Sequence, residues 1–256
     1  MTTQSTTPMA DPETYYAGAY WGPRQESAEE CARRAVGFLD LLAACDPLLA
    51  HWNKTPKPRG KGLKFPLMPP DLSTLTEAFR RGVNREPGGP PIEHLGLTVS
   101  AYNDGTGPDF VTARMHCGSH AKGMSNACVL SIPSKGANAE RVLTAPVLTQ
   151  VVRSMASAWD ADWALATSWE HREMLEEELR TGTFVGWVTY VSLRRGTVPP
   201  LPAPVRIEKV EGMGTLVILT PERFTATNPE HVALAKRVRE LLSKAGLMRP
   251  VTDGPA

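Results

Sequence analysis

Three short β-prone runs follow one another between residues 92 and 132. They read LGLTVSAYNDG, FVTARMHC and NACVLSIPS, and glycine-containing stretches separate them. A tight turn after each short strand reverses the chain, so runs with this spacing pair as antiparallel neighbours. The stretch therefore predicts an antiparallel meander, against which the helical parts of the chain must pack.

Segments with helical periodicity lie on both sides of this meander. The clearest begins with SAEE at residues 27–30, a capping-box pattern followed by apolar residues at steps of four and three. Further helices are expected from Asp71, near 143–158 and from the Asn228 cap to Gly246. More β-prone runs occupy 14–22, 47–52, 163–169, 183–195, 205–211 and 215–220. The sequence predicts an α+β fold, mainly antiparallel sheet with about four to five packed helices.

The chain reads as a single domain of an ordinary globular protein. It has 256 residues, of which 41% are hydrophobic, and no convincing linker divides it. We expect one domain over 14–248 with flexible tails at 1–13 and 249–256. The polar start lacks a secretory pattern, and no apolar run approaches the ~18 residues that cross a bilayer. We therefore expect a cytoplasmic protein without membrane contact, whose four cysteines are free and mostly buried.

Charge and motifs argue against several classes of function. With 28 basic and 27 acidic residues the chain is almost neutral, which does not indicate a globally basic nucleic-acid binder. The glycine-rich pieces precede strands rather than helices, so no phosphate-binding loop or dinucleotide fingerprint is present. We expect no cofactor and no direct nucleic-acid partner.

The cluster His116, Cys117 and His120 is the strongest candidate for chemistry. Zinc sites need about four ligands, usually from two paired clusters, and no second cluster stands at ligand spacing. On a strand, His116 and Cys117 also point to opposite faces. We favour a structural Cys117 at the end of an inner strand. A metal- or thiol-dependent hydrolase that uses the three residues is the alternative.

Three blocks of the sequence carry a resemblance to a known family. They are YYAGAYWGPRQESAEECARRAVGFLDLLAACDPLLAHW, GTFVGWVTYVSLRRG and RFTATNPEHVALAKRVRELLSKAGL. In order and spacing the chain resembles the Immunity protein 52 family of bacterial polymorphic-toxin systems. The resemblance implies a non-enzymatic cytosolic protein that binds and neutralises a cognate toxin, typically a nuclease of restriction-endonuclease fold. It supplies no catalytic or contact residues.

An acidic segment is our candidate for the toxin contact, because negative charge can cover the basic groove of a nuclease. Five residues form the predicted toxin-binding set: Trp169, Glu170, Glu173, Glu176 and Glu177. The ordinary alternative for such a charge run is a solvated helix face. A further reading of the whole chain is an adaptor that delivers an effector. The sequence leaves the oligomeric state open.

Overall fold

The computed structural model describes residues 12–54, 71–175 and 183–253, and these form one nine-stranded antiparallel sheet with six α-helices. The strands are β1 Tyr15–Trp21, β2 Trp52–Lys54, β3 Leu97–Asn103, β4 Thr112–Cys117, β5 Asn126–Ile132, β6 Trp163–Ser168, β7 Val188–Ser192, β8 Arg206–Val210 and β9 Gly214–Ile218. The helices are α1 Ala28–Ala43, α2 Leu72–Arg81, α3 Ala137–Val142, α4 Ala145–Trp159, α5 Trp169–Glu173 and α6 Pro229–Lys244. The predicted α+β class is confirmed.

The strand order is β2-β3-β4-β5-β1-β6-β7-β9-β8. The predicted meander is confirmed, because β3, β4 and β5 are consecutive neighbours with antiparallel register. The first strand of the chain lies in the middle of the sheet. It pairs with β5 on one side and β6 on the other, so that Gly18 faces Val129 and Leu165.

Helices α1 and α4 cover one face of the sheet, which we call the helical face. Most strand residues on this face are small or apolar; those of β1 are Tyr15, Ala17, Ala19 and Trp21, all buried. Phe38 of α1 and Trp21 both contact the indole of Trp159 in α4. Small side chains on β1 let α4 approach the sheet closely, and the aromatic residues fill the space at the end of the strand.

The capping box predicted for α1 is present. The side chain of Ser27 accepts a hydrogen bond from the backbone of Glu30, whose carboxylate accepts one from the Ser27 backbone. The helix ends at Ala43, and Cys45 lies just beyond it. All four cysteines are free thiols.

The strand expected over 47–52 is wrong. Asp46 instead accepts a hydrogen bond from Leu48 and caps a short 3-10 turn at Pro47–Leu49, and β2 begins at Trp52. Arg141 also contacts the Asp46 carboxylate with its Nε atom at 2.7 Å. A capping carboxylate directly before a proline favours a helical turn over a strand.

On the opposite face of the sheet, the part formed by β6 and β7 is covered by later segments of the chain. The indole of Trp163 donates to the carbonyl of Phe184 at 3.0 Å, and Arg195 donates to the carbonyl of Leu247 at 3.0 Å. Phe224 lies between the rings of His171 in α5 and His231 in α6. These contacts bury β6 and β7 on both faces.

Two glycines give a matched test of this packing. Gly37 lies within α1, and a Cβ there would meet nothing within 4 Å; at Gly82, after α2, a Cβ would lie 2.1 Å from the carbonyl oxygen of Thr98 in β3. We expect Gly37→Ala to raise the free energy of unfolding by about 0.5–1 kcal/mol. Gly82→Ala should lower it by about 1–3 kcal/mol, because backbone must move. Urea denaturation measures the unfolding free energy of each variant. The same change in both variants would contradict the close approach described for Gly82 and β3.

Candidate binding surface

Helix α5 follows β6 without a loop. Ser168, the last residue of β6, caps the helix by accepting a hydrogen bond from the backbone of His171. The imidazole of His171 lies 3.1 Å from the hydroxyl of Thr167, measured from its Nδ1 atom. These bonds fix the orientation of α5 on the sheet, so its exposed side chains have a defined position.

Trp169 forms an aromatic stack at the surface. Its ring lies 4.2 Å from that of the buried Tyr16 in β1, and 37% of the residue remains exposed. The guanidinium of Arg172 lies 4.9 Å from the centre of the Trp169 ring and 5.7 Å from that of Tyr16. A cation against two stacked rings holds the partly exposed indole in place.

The predicted glutamates have different surroundings. Glu170 accepts hydrogen bonds from the backbone and hydroxyl of Thr14, at 3.1 and 3.2 Å, and thereby ties α5 to the start of β1. Glu173 is exposed and makes no ion pair with any described residue. Glu176 and Glu177 lie outside the described residues. The structure therefore brings Trp169, Glu170 and Glu173 together on one short helix, with Glu170 engaged in the fold.

The His116–His120 cluster does not form a single site. His116 is half-buried on the face opposite α1 and lies 3.0 Å from the hydroxyl of Thr98 through its Nδ1 atom. Cys117 is fully buried on the helical face, and His120 is exposed in the turn after β4. The predicted separation of His116 and Cys117 by strand alternation is confirmed. Within ranges 12–54, 71–175 and 183–253, no three His, Cys, Asp or Glu residues are placed to hold a metal.

The Cys117 thiol lacks the surroundings of a nucleophile. Burial raises its pKa well above the ordinary value, and the neighbouring Cys31 thiol and Glu26 raise the pKa further. Reactive cysteines need a lowered pKa, because the thiolate is the nucleophile. The arrangement therefore favours the structural reading of Cys117 over the thiol-hydrolase alternative.

A surface that the sequence analysis does not identify lies beside α5. On β3, β4 and β5, the residues pointing away from α1 and α4 are all exposed or half-buried, and we call them the open sheet face. They are Thr98, Ser100, Tyr102, Thr112, Arg114, His116, Ala127, Val129 and Ser131. The alternating burial pattern of β4 and β5 follows from one covered and one open face.

The whole described fold falls within one family. The model of the family described as Immunity protein 52 matches residues 13–251. The chain belongs to the Immunity protein 52 family. No curated protein matches it in sequence. Among solved structures, it is similar to the "Pseudomonas aeruginosa T6SS protein PA0821" at 11% identity, with a TM-score of 0.49, over 89% of this chain and 72% of that chain.

Membership of the family implies a protein partner and suggests a non-enzymatic role. The resemblance seen in the sequence is thereby confirmed. In the part of the chain that the structure describes, no helix is long and apolar enough to cross a membrane. A protein partner binds at exposed side chains, and α5 with the open sheet face supplies the exposed aromatic and charged groups just described.

The buried His171 makes the attachment of α5 sensitive to pH. Burial lowers the pKa of its imidazole to about 4, and the carboxylate of Glu13 opposes the shift. In the unfolded chain the pKa is about 6.5, so between these values the unfolded chain binds more protons and stability falls as pH falls. We expect His171→Asn to reduce the loss of unfolding free energy between pH 7 and pH 4.5 by about 2 kcal/mol. Urea titrations at both pH values measure this change, with His120→Asn as the control. If His171→Asn lost as much unfolding free energy between the two pH values as the wild type does, the prediction would be contradicted.

The metal alternative has its own test. We expect protein purified without a histidine tag to contain no stoichiometric zinc by elemental analysis. A His116→Ala/His120→Ala variant should keep its fold, with an unfolding free energy within about 2 kcal/mol of the wild type, because it loses only two partly exposed hydrogen bonds, to the hydroxyl of Thr98 and the carbonyl of Gly118. Stoichiometric zinc in the wild type, lost in the variant, would restore the metal hypothesis.

Proposed function

We propose that this protein is an immunity protein that binds a cognate bacterial toxin and neutralises it by steric occlusion. The match of the Immunity protein 52 model to residues 13–251 carries the proposal. The surroundings of His116, Cys117 and His120, described above, favour this function over the hydrolase alternative. Occlusion requires a rigid surface, and a sheet held by helices on one face provides one.

The exposed residues of α5 suit a protein contact. Trp and Arg are the residue types most often found at energetic hot spots, and Trp169 and Arg172 are already stacked on one another. A side chain held in place before binding loses little conformational entropy when the partner arrives. The stack therefore favours tight binding without rearrangement of α5.

The toxin class follows from the family resemblance. We propose a nuclease of restriction-endonuclease fold, whose substrate groove must be basic to hold nucleic acid. The exposed Glu173 and the neighbouring Glu176 and Glu177 supply opposite charge, which accelerates association and fixes orientation. A nuclease toxin acts on nucleic acid inside the cell, so protection would take place in the cytoplasm.

Co-expression distinguishes this function from its alternatives. We expect bacterial cells that express the toxin of the neighbouring gene to survive when this chain is also produced. Isothermal titration of the purified proteins should give one-to-one binding. An assay of toxin activity should show that the bound toxin is inactive. An adaptor would bind the toxin without rescuing the cells, and a hydrolase would require its catalytic residues for rescue. Cell death despite full expression of this chain would reject the proposed function.

Substitutions within the predicted toxin-binding set test its role. We expect Trp169→Ala to weaken toxin binding by about tenfold or more, since a buried hot-spot tryptophan contributes above ~1–2 kcal/mol. Charge reversal at Glu173, Glu176 and Glu177 should slow association and make protection weaker, especially at low salt. Glu211→Lys, on the exposed β8–β9 turn, is the matched control and should bind as the wild type does. Unchanged calorimetric affinity in both test variants would remove α5 from the interface.

A further inference from the structure

The open sheet face is an unusual surface because it is wide, ordered and acid-free. The sequences of β1, β3, β4 and β5 contain no aspartate or glutamate. An exposed cation on a strand is commonly balanced by a carboxylate on the neighbouring strand. No strand of this half of the sheet supplies one.

Arg114 lies at the centre of this surface. Its neighbours across the sheet are Ser100 on β3 and Val129 on β5. The residue is exposed, and it forms no ion pair with any residue in the described ranges. Its positive charge is therefore available to a partner, and it also lowers the pKa of the neighbouring His116, after burial as the larger cause.

Two aromatic pairs stand on either side of the arginine. On the β3 side, Tyr102 lies 5.9 Å from Phe110, of which 48% is exposed. On the β1 side, the ring of Tyr16 stacks on that of the exposed Trp169, with ring centres 4.2 Å apart. Tyr102 and Tyr16 occupy one row of the sheet, three strand spacings or roughly 14 Å apart. Arg114 belongs to the adjacent row, between the two pairs.

The size of the surface suits a protein. Three strands of about seven residues cover roughly 14 by 24 Å, and the β3–β4 turn and α5 extend this area at its edges. Each partner in a standard protein interface buries about 800 Å². Aromatic anchors around a cation, within a surface of neutral side chains, also match the composition of interface cores.

Two other occupants fit the charge less well. A second copy of this chain, stacked strand on strand, would place one Arg114 against another, and the strands around each arginine contain no carboxylate to balance it. Nucleic acid binds through many phosphate contacts, and the open sheet face with α5 offers two arginines, Arg114 and Arg172. An acidic protein segment satisfies both the charge and the aromatic groups.

We propose that the open sheet face is the main docking surface for the toxin, and that it receives a segment of the toxin with an exposed carboxylate at Arg114 and apolar side chains against Phe110 and Trp169. This inference rests on the proposed immunity function and states where the toxin binds and with which chemistry. Trp169 joins this surface to the glutamates of α5. The toxin would therefore contact an arginine-centred surface with an acidic margin.

Charge reversal at the centre of the surface is the decisive experiment. The affinity of the toxin from the neighbouring gene is measured by calorimetry for the wild type, Arg114→Glu, Arg114→Gln and Phe110→Ala. We expect Arg114→Glu to weaken binding by 30-fold or more, and Arg114→Gln and Phe110→Ala by about five- to tenfold. The wild-type affinity should fall with salt more steeply than that of Arg114→Gln, which has lost the ion pair.

Lys209→Glu is the matched control. It reverses an exposed basic residue on β8, six strands from β4 in the same sheet, and should bind within twofold of the wild type. Thermal unfolding checks each variant, and Arg114→Glu should melt as the wild type does because the arginine forms no ion pair within the described fold. Arg114→Gln provides a second measurement if the charge reversal disturbs the sheet.

The possible outcomes separate this inference from the proposed function. If the wild type neither binds the toxin nor protects cells, the immunity function fails. If the wild type binds and protects but Arg114→Glu does so equally well, the docking surface is wrong while the function stands. Sedimentation that shows a dimer dissociated by Arg114→Glu would assign the surface to a second copy. Arginine-dependent binding of a labelled oligonucleotide would assign it to nucleic acid, and either result overturns the proposal.

Discussion

The pairing of β1 with two strands from distant parts of the chain is the constraint on which the architecture depends. Strands β2 to β5 form one half of the sheet and β6 to β9 the other, and β1 joins them. Its C-terminal end is fixed by the stack of Trp21 on Trp159, with ring centres 5.2 Å apart. Its N-terminal end is fixed by the hydrogen bonds between Thr14 and Glu170. Weakening either attachment would loosen the contact between the two halves.

An ion-pair network strengthens the first of these attachments. Arg24 lies over the Trp21 ring and donates to the carbonyl of Trp159. Asp162 accepts a hydrogen bond from the backbone of Gly22 and pairs with Arg194 at 3.0 Å. The motif Trp21-Gly22-Pro23-Arg24, which carries part of the family resemblance, therefore joins β1 to α4 and the end of β7. These contacts give the residues of the motif a structural role in the fold.

The sequence predicted those parts of the fold that depend on local physics. The meander, the α1 capping box and the Asn228 cap of α6 were all recognisable because each is determined by neighbouring residues. The strand order was not predictable, since pairing of β1 with β5 and β6 joins residues more than a hundred positions apart. The open sheet face escaped notice because it depends on which side of the meander the distant helix α4 and helix α1 cover, and the spacing of the strands does not show this. Trp169 was singled out as a contact residue, but its stack on Tyr16 required the same long-range pairing.

The central position of β1 also sets the order of events during synthesis. This strand leaves the ribosome well before β6, one of its two neighbours, which is complete only at Ser168. At translation rates of about 5–20 residues per second, the first strand waits roughly ten to thirty seconds for its last partner. Long-range antiparallel pairing is also slow to form once the residues are available. Under the proposed immunity function, a cell that relied on newly made chains would have a delay before protection began, which favours maintaining a reserve of folded protein.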